Sequence, residues 1–378
     1  MKEIPRRYWR NLDIPLILAV FGLFLLGLFV IYSASATRLI NLNTDPFYYV
    51  KRQVIAATVG LVGLIVILSV DYRVWRRWTK IGYLLSVLLL GATLIMGKVA
   101  QGSQRWFRLG GFNLQPSELA KLITIVILAH YLENPGNVKG KKILNPFLLI
   151  AVPMALIIPQ PDLGTSIVFI GIVFAMTYIA GGNIRHLGLI ALVGIVFATT
   201  AIVLSYYEVI KLIQPYQLRR LLVFINPYID PTDSGWNVIQ SMIAIGSGGF
   251  LGKGYLNGTQ SQLHFLPANH TDFIFSVAAE EFGFVGASAI LLVYAFLIWR
   301  GIKIAVLAKD RFGTLLAVGC VSYFVCHLII NIGMTIGIMP VTGLPLPFLT
   351  YGGSTLMTSL MVIGVLLNVG LRRQKIMF

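Results

Sequence analysis

Charge is scarce in this sequence. Asp, Glu, Lys and Arg make up 12% of the 378 residues, about half of the roughly 25% found in ordinary soluble domains. That shortage excludes an ordinary cytosolic enzyme, and it excludes a disordered chain, which needs abundant solvated charge. Cysteine is almost missing: Cys320 and Cys326 are the only two. They stand six apart in one apolar stretch, where a helix turns them to different faces. They read as small core residues, not as a disulfide or a metal site. The five histidines form no His-Glu-x-x-His run, and no Cys/His metal spacing exists. Acidic residues are the rarer charges, 14 against 30 Lys and Arg, which leaves a net +16.

Apolar residues fill the space instead. They account for 57% of the chain, and the mean hydropathy is +0.82. This is an integral membrane protein. Ten crossings of about 20 residues each would use roughly 200 residues, which leaves room for one sizeable loop and no large soluble domain. The apolar runs predict ten helices, over 13–34, 53–70, 79–98, 117–133, 145–159, 164–181, 187–206, 272–299, 312–338 and 351–371. The first follows Arg6, Arg7 and Arg10 and precedes Ser33-Ala34-Ser35-Ala36. It is too long for a cleaved signal, so it is read as a retained helix. The expected fold is an all-α polytopic membrane protein, with 1–378 as one integral membrane domain. Its large extracytoplasmic loop, 207–271, would carry short interfacial helices.

Placing the N-terminus in the cytoplasm puts nineteen of the thirty Lys and Arg on the inner side. The positive-inside bias therefore favours both termini inside. Eleven cations remain for the outer face and the helix ends, and these need another explanation. The 207–271 loop also holds a glycine-rich run, Gly246 to Gly254. It resembles a phosphate cradle, but Ser247 stands where a P-loop needs Gly, and Gly254 where it needs Ser or Thr. Nucleotide binding there is not expected. Gln240 to Ala244, just before the glycines, is read as a short interfacial helix.

Ionisable groups near membrane helices are costly and are functional candidates by default. Four clusters qualify. In the first, Arg105-Trp106-Phe107-Arg108 precedes Gln115-Pro116-Ser117-Glu118, with Lys121 three residues beyond Glu118. Ser117 resembles an N-cap, and Glu118 and Lys121 share a helix face. The group is either a structural ion pair with arginine anchors or an anion site, since guanidinium and ammonium suit phosphate. In the second, Asp162 of Gln160-Pro161-Asp162-Leu163-Gly164-Thr165 either caps the next helix or holds a basic partner or a metal. In the third, Leu266 to Phe275, Asp272 sits where the long loop enters a helix. Desolvation there would raise its pKa and make it a better base; a helix-dipole Asp is the alternative. Glu280 and Glu281 lie roughly 12 Å further along and read as a core polar network, while His270 alone reads as structural. In the fourth, Pro340 to Ser354, prolines and glycines interrupt an apolar sequence. Irregular backbone at that depth must be buried in protein or line a cavity. These features suit a lipid-borne phosphate or pyrophosphate, and they leave reaction against transport open.

The four motifs, in this order and register, resemble the SEDS family (shape, elongation, division, sporulation) over nearly the whole chain. Gln260 to Pro267 and Asn331 to Thr335 look more like its elongation, RodA-type branch than its division branch. Thr350 stands where the family usually has Ser, and Ala268-Asn269 replaces a more common pair that contains an acid. The resemblance implies a peptidoglycan glycosyltransferase acting on lipid II, with Asp272 as the essential residue. Asp272 would deprotonate the acceptor 4-hydroxyl, and undecaprenyl pyrophosphate would leave with inversion. Arg105, Arg108 and Lys121 are expected to meet the pyrophosphate, with Glu118 orienting Lys121. Asp162, Thr165, His270 and Ser354 are expected to complete the substrate site. A divalent cation, Mg or Mn, is a candidate cofactor, and no organic cofactor is expected. Expected partners are a class B penicillin-binding protein, elongation-complex proteins and membrane lipids, but not nucleic acid. The expected location is the bacterial inner membrane, with the site on the extracytoplasmic side. A lipid II flippase is the rival reading; it would favour internal repeats, and none is evident.

Overall fold

The computed structural model describes residues 11–96, 98–100, 103–109, 112–160, 162–209, 214–230 and 234–373. The predicted N-terminal cations Lys2, Arg6, Arg7 and Arg10, along with Pro161 and Lys375, lie outside them. Seven helices come first: α1 (Ile14–Asn41), α2 (Tyr48–Ser69), α3 (Thr79–Met96), α4 (Pro116–Leu132), α5 (Asn145–Ile157), α6 (Leu163–Ile179) and α7 (Ile184–Tyr206). The long connection then carries α8 (Pro215–Ile225), α9 (Ser234–Ser247) and the single turn α10 (Thr259–Gln262). Three more complete the chain: α11 (Ile274–Val306), α12 (Arg311–Thr335) and α13 (Gly353–Leu371).

Every predicted apolar run is a helix. Eight stretches among the described residues are long and apolar enough to cross a membrane, and the protein is an all-α, multi-pass membrane protein. α4 and α6 are shorter, at 17 residues each. α4 begins with the polar Ser117, Glu118 and Lys121, which lowers its hydropathy. α13 forms the centre, almost wholly buried, and it packs against α2, α12 and α11. α7 lies at the periphery, 6% buried. Its exposed Ile, Leu, Val and Phe side chains suit hydrocarbon, where an outward apolar face carries no penalty.

Three details differ from the sequence reading. A small antiparallel meander, β1 (Lys98–Ala100), β2 (Ser103–Leu109) and β3 (Phe112–Leu114), precedes α4. The helix read over Gln240 to Ala244 is the longer α9, and it is not merely interfacial. It packs on α11, where Ser241 Oγ lies 2.7 Å from Ser276 Oγ and donates to the Thr335 carbonyl at 2.7 Å. Finally, the N-cap position of α4 is Gln115, which makes no side-chain cap bond, with Pro116 in the first turn, and not Ser117.

α11 has 33 residues, roughly 50 Å at 1.5 Å per residue, well beyond the roughly 30 Å of hydrocarbon. It breaks at Gly283 (φ 64°, ψ −164°). The glycine-rich run docks on that break. Phe284 N donates to Gly249 O at 2.9 Å, and Val285 N to Phe250 O at 3.1 Å. In return, Lys253 N and Gly254 N donate to the Glu280 and Glu281 carbonyls, both at 3.0 Å. Backbone groups freed by the break are thereby paired inside protein, as membrane depth demands. Gly252 has φ +83°, and a Cβ there would lie 2.6 Å from the Gly283 nitrogen. The run is a clamp on α11.

Ion pairs close the opposite end of the bundle. Arg76 bridges Asp310 (2.8 Å) and Glu133 (3.0 Å), and Arg300 holds both oxygens of Asp13 (3.0 and 2.5 Å). These contacts fix α1, α4, α11 and α12 at one end and leave the loops of the other end to build a site.

Candidate functional site

Asp272 stands in the turn just before α11. The cap residue of that helix is Phe273, which makes no side-chain cap bond, and Asp272 precedes it by one position. Its main-chain carbonyl accepts from Asn331 Nδ2 of α12 at 3.0 Å. The same amide nitrogen donates to the Leu344 carbonyl at 2.7 Å, which ties the Pro340–Ser354 loop to the Asp272 turn. Gly343, at φ +71°, lies flush against the carboxylate; a Cβ there would sit 3.2 Å from Asp272 Oδ2. Burial pushes the Asp272 carboxyl above its ordinary value, while the nearby Arg220 and Arg105 guanidinium groups pull it back down. A partly desolvated carboxylate facing two cations is a base that stays ionisable.

The two arginines reach the site by different routes. Arg220 belongs to α8, an amphipathic helix of the long loop, and its Cζ lies 5.8 Å from the Tyr216 ring centroid. Arg105 belongs to β2. Its Nε donates to the Gln160 carbonyl at 2.5 Å, and its Nη1 lies 3.9 Å from Asp162 Oδ2. Asp162 does two things at once: Oδ1 caps α6 by accepting from Thr165 N at 3.0 Å, and Oδ2 accepts from Gln115 Nε2 at 3.0 Å. Ser354, at the start of α13, accepts from Gln115 N at 2.9 Å and donates to the Asn113 carbonyl at 2.7 Å. Arg105, Asp162, Thr165 and Ser354 therefore form one connected polar wall. The Arg108 side chain lies outside the described residues.

Glu118 and Lys121 sit beneath this wall, sealed in the bundle at 2% and 0% exposure. Lys121 Nζ donates to Glu118 Oε1 at 2.7 Å, lies 3.1 Å from His327 Nε2, and sits 5.3 Å from the Tyr323 ring centroid. Glu280 and Glu281 are buried elsewhere. Glu280 accepts from Lys253, Thr259 and the Gln260 amide, and Glu281 accepts from Ser33. His270 packs on Tyr49 (4.5 Å between centroids) and near Tyr351 (6.0 Å). Burial first, and Arg38 second, push its pKa down to about 4, so it is neutral at pH 7.

Two contributors escaped the sequence reading. Arg220 was one of the eight outer-side cations left without a role once Arg105, Arg108 and Lys121 were assigned to the pyrophosphate, and its local signal is the amphipathic pattern of 215–225. Gly343 was visible only as part of a loop. As for metals, no group of three His, Cys, Asp or Glu converges among the described residues. Asp162 is occupied by Gln115, Thr165 and Arg105, and the groups facing Asp272 are cationic. This donor set does not fit a protein-held Mg2+ or Mn2+.

The chain as a whole is similar to known proteins. The model of the cell cycle protein family named for FtsW, RodA and SpoVE matches residues 14–375. Stage V sporulation protein E of Bacillus subtilis is 40% identical over 362 residues, 94% of this chain and 96% of its own. A probable peptidoglycan glycosyltransferase FtsW of Trichlorobacter lovleyi is 37% identical, covering 98% and 96%. Peptidoglycan glycosyltransferase MrdB of Escherichia coli is 36% identical, covering 96% and 95%. Among solved structures, a chain from work on coordinated polymerization and crosslinking by a peptidoglycan synthase complex superposes with a TM-score of 0.78. It shares 31% identity, with 96% of this chain and 98% of that one covered. The rod shape determining protein RodA of Thermus thermophilus gives 0.70 at 29% identity, covering 96% and 98%. The match spans both ends of the polar wall and the Asp272 turn alike: this chain belongs to the FtsW/RodA/SpoVE family, the SEDS proteins.

Proposed function

We propose that this chain is a peptidoglycan glycosyltransferase that polymerises lipid II during cell elongation. Its relatives carry the glycosyltransferase name. The observation that carries the reading is the Asp272 carboxylate, partly buried at the mouth of α11 and opposed by Arg220 and Arg105. Asp272 takes the proton of the acceptor 4-hydroxyl. That oxygen bonds to the anomeric carbon of the donor, whose bond to pyrophosphate breaks with inversion. Arg105, Arg220 and Arg108 receive the charge that develops on the leaving group, where prepositioned cations act most strongly. Asp162, Thr165 and Ser354 hold the wall that carries Arg105. His270, neutral and flanked by tyrosines, offers a face for a sugar. Any divalent cation would arrive on the pyrophosphate, and no step is assigned to one.

Both termini are cytoplasmic in this reading, and the site opens on the extracytoplasmic face of the inner membrane. A class B penicillin-binding protein is the expected partner, in keeping with the synthase complex to which the chain is similar. The elongation role rests on the Gln260–Pro267 and Asn331–Thr335 segments. The test is glycan polymerisation from purified lipid II in detergent, where flipping is irrelevant. Wild type, with its partner present, should form strands. Asp272→Asn should lose about 100-fold or more of the rate, the usual scale of general-base removal. Strand formation at the wild-type rate in that variant would remove Asp272 as base.

A further inference from the structure

We propose that His327 and Asn331, one helical turn apart on α12, form a bracket that positions Asp272 from the buried Glu118–Lys121 pair. Nothing in the reaction above uses His327, and its contacts define its state. Its Nδ1 lies 2.9 Å from the Pro345 carbonyl, and its Nε2 lies 3.1 Å from Lys121 Nζ. A carbonyl only accepts and an ammonium only donates. The proton is therefore on Nδ1, and Nε2 offers a lone pair to Lys121. The imidazole is neutral and fixed in one tautomer, because a second proton would point at Nζ. Lys121 thus directs its donors to Glu118 and His327, with its charge over the Tyr323 ring. At 0% exposure it acts through His327 and does not reach a ligand in the site.

Asn331 is the second rung. Its Nδ2 spans the Asp272 and Leu344 carbonyls, at 3.0 and 2.7 Å. Its Oδ1 is buried with no partner among the described residues. Leaving a buried acceptor unpaired costs about 1–3 kcal/mol, and the orientation persists because both donations need it. The rungs grip adjacent carbonyls, Leu344 and Pro345, of the loop whose Gly343 lies against Asp272 Oδ2. One continuous path therefore runs Glu118, Lys121, His327, Pro345, Leu344, Asn331, Asp272. Buried ion pairs are weak contributors to stability but are well suited to fixing a register. Here the register is the distance between a base and its acceptor.

This inference rests on the glycosyl-transfer reading, and its test has an arm that does not. In the lipid II assay, His327→Leu and Asn331→Leu should lower kcat about 100-fold, the scale of an ångström-sized misplacement, while KM changes less than about threefold. His327→Gln, whose amide donates to Pro345 and whose oxygen accepts from Lys121, should recover about tenfold. The independent arm is labelling of Asp272 by dicyclohexylcarbodiimide, read by peptide mass spectrometry. Its rate should change at least about threefold in both Leu variants. It should not change in Asp310→Asn, a control that weakens the opposite end of the bundle. Wild-type kcat, or labelling that follows the control at equal thermal stability, overturns the bracket. If wild type makes no glycan, the glycosyl-transfer reading fails, and the labelling arm still decides the bracket.

Discussion

Replacing Arg220 with Gln separates two jobs that one guanidinium performs. Asp272 is pushed up by burial and pulled down by Arg220 more than by Arg105. Removing the Arg220 charge must therefore raise the carboxyl further. The base works only when ionised, so activity is lost as pH falls through its pKa, and the acid limb of kcat moves to higher pH. That loss is recovered at alkaline pH. The second job is stabilisation of the departing pyrophosphate, and its loss is not recovered. Removing one prepositioned electrostatic contact costs roughly 2.7–4 kcal/mol, or about 10²–10³ in kcat. The assay is glycan polymerisation at saturating lipid II from about pH 5 to about pH 9, the span in which a raised carboxylate titrates. The expected profile has an acid limb shifted upward and a plateau about 100-fold below wild type. Arg105→Gln should shift the limb less, because its pull on Asp272 is the smaller one. Arg220→Lys keeps the charge and should keep the limb. A limb that stays in place, together with an undiminished plateau, would refute the placement of Arg220 in the site.

Three further outcomes follow from the packing. Gly252→Ala forces a side chain into a left-handed backbone 2.6 Å from the Gly283 nitrogen. It should cost about 1–3 kcal/mol or more, seen as a lower melting temperature in detergent. Glu118→Gln leaves the Lys121 ammonium buried without its counter-charge and should destabilise by about 3–5 kcal/mol. The double change Glu118→Leu with Lys121→Met should restore stability without restoring turnover, as measured by melting and polymerisation together. Asp162→Ala removes the α6 cap, worth about 1 kcal/mol, and frees Arg105, so both melting temperature and kcat should fall. Asp162→Asn keeps a capping oxygen and should recover the melting temperature alone.

Most of the fold was legible because lipid-facing sequence is uniform. Long apolar runs have one solution in hydrocarbon, and their ends differed from the helix ends by at most seven residues, the largest misses being the C-terminal ends of α1 at Asn41 and α11 at Val306. α11 shows where that logic stops. Its break at Gly283 interrupts no hydrophobic pattern, since the residues on both sides are apolar; only the returning glycine-rich run makes the break stable. The β meander was hidden for the opposite reason, as a short polar stretch with no alternation strong enough to read. At the site, local chemistry was readable and long-range chemistry was not. Glu118 with Lys121 is a pair three residues apart, and the Asp162 cap is a contact three residues long. The approach of Arg220 to Asp272 spans a loop of fifty residues, and no local pattern encodes it. Beside the amphipathic pattern of α8, the +16 charge gave the other hint, because orientation used nineteen cations, the expected pyrophosphate site used three, and eight remained unassigned.

The single carboxylate is itself informative about the reaction. An inverting hydrolase needs two, one to activate water and one to protonate a sugar leaving group. Glu280 and Glu281 look like the missing second acid in sequence, but their side chains are committed to Lys253 and Ser33 under the glycine clamp. Asp162 also lies 3.9 Å from Arg105, but its oxygens are committed to the α6 cap and to Gln115, which leaves Asp272 as the carboxylate that both Arg220 and Arg105 pull down. One carboxylate suffices when the leaving group is a pyrophosphate, which departs as a stable anion and needs no proton. Its requirement is positive charge, and two guanidiniums supply it. A site with one base, cations near it and no general acid suits transfer from a phosphorylated donor, and it would serve glycan hydrolysis poorly. Purified protein should therefore extend strands from lipid II yet leave finished glycan uncut over the same pH range. Cleavage of preformed strands, lost in Asp272→Asn, would contradict this assignment of charge to the leaving group.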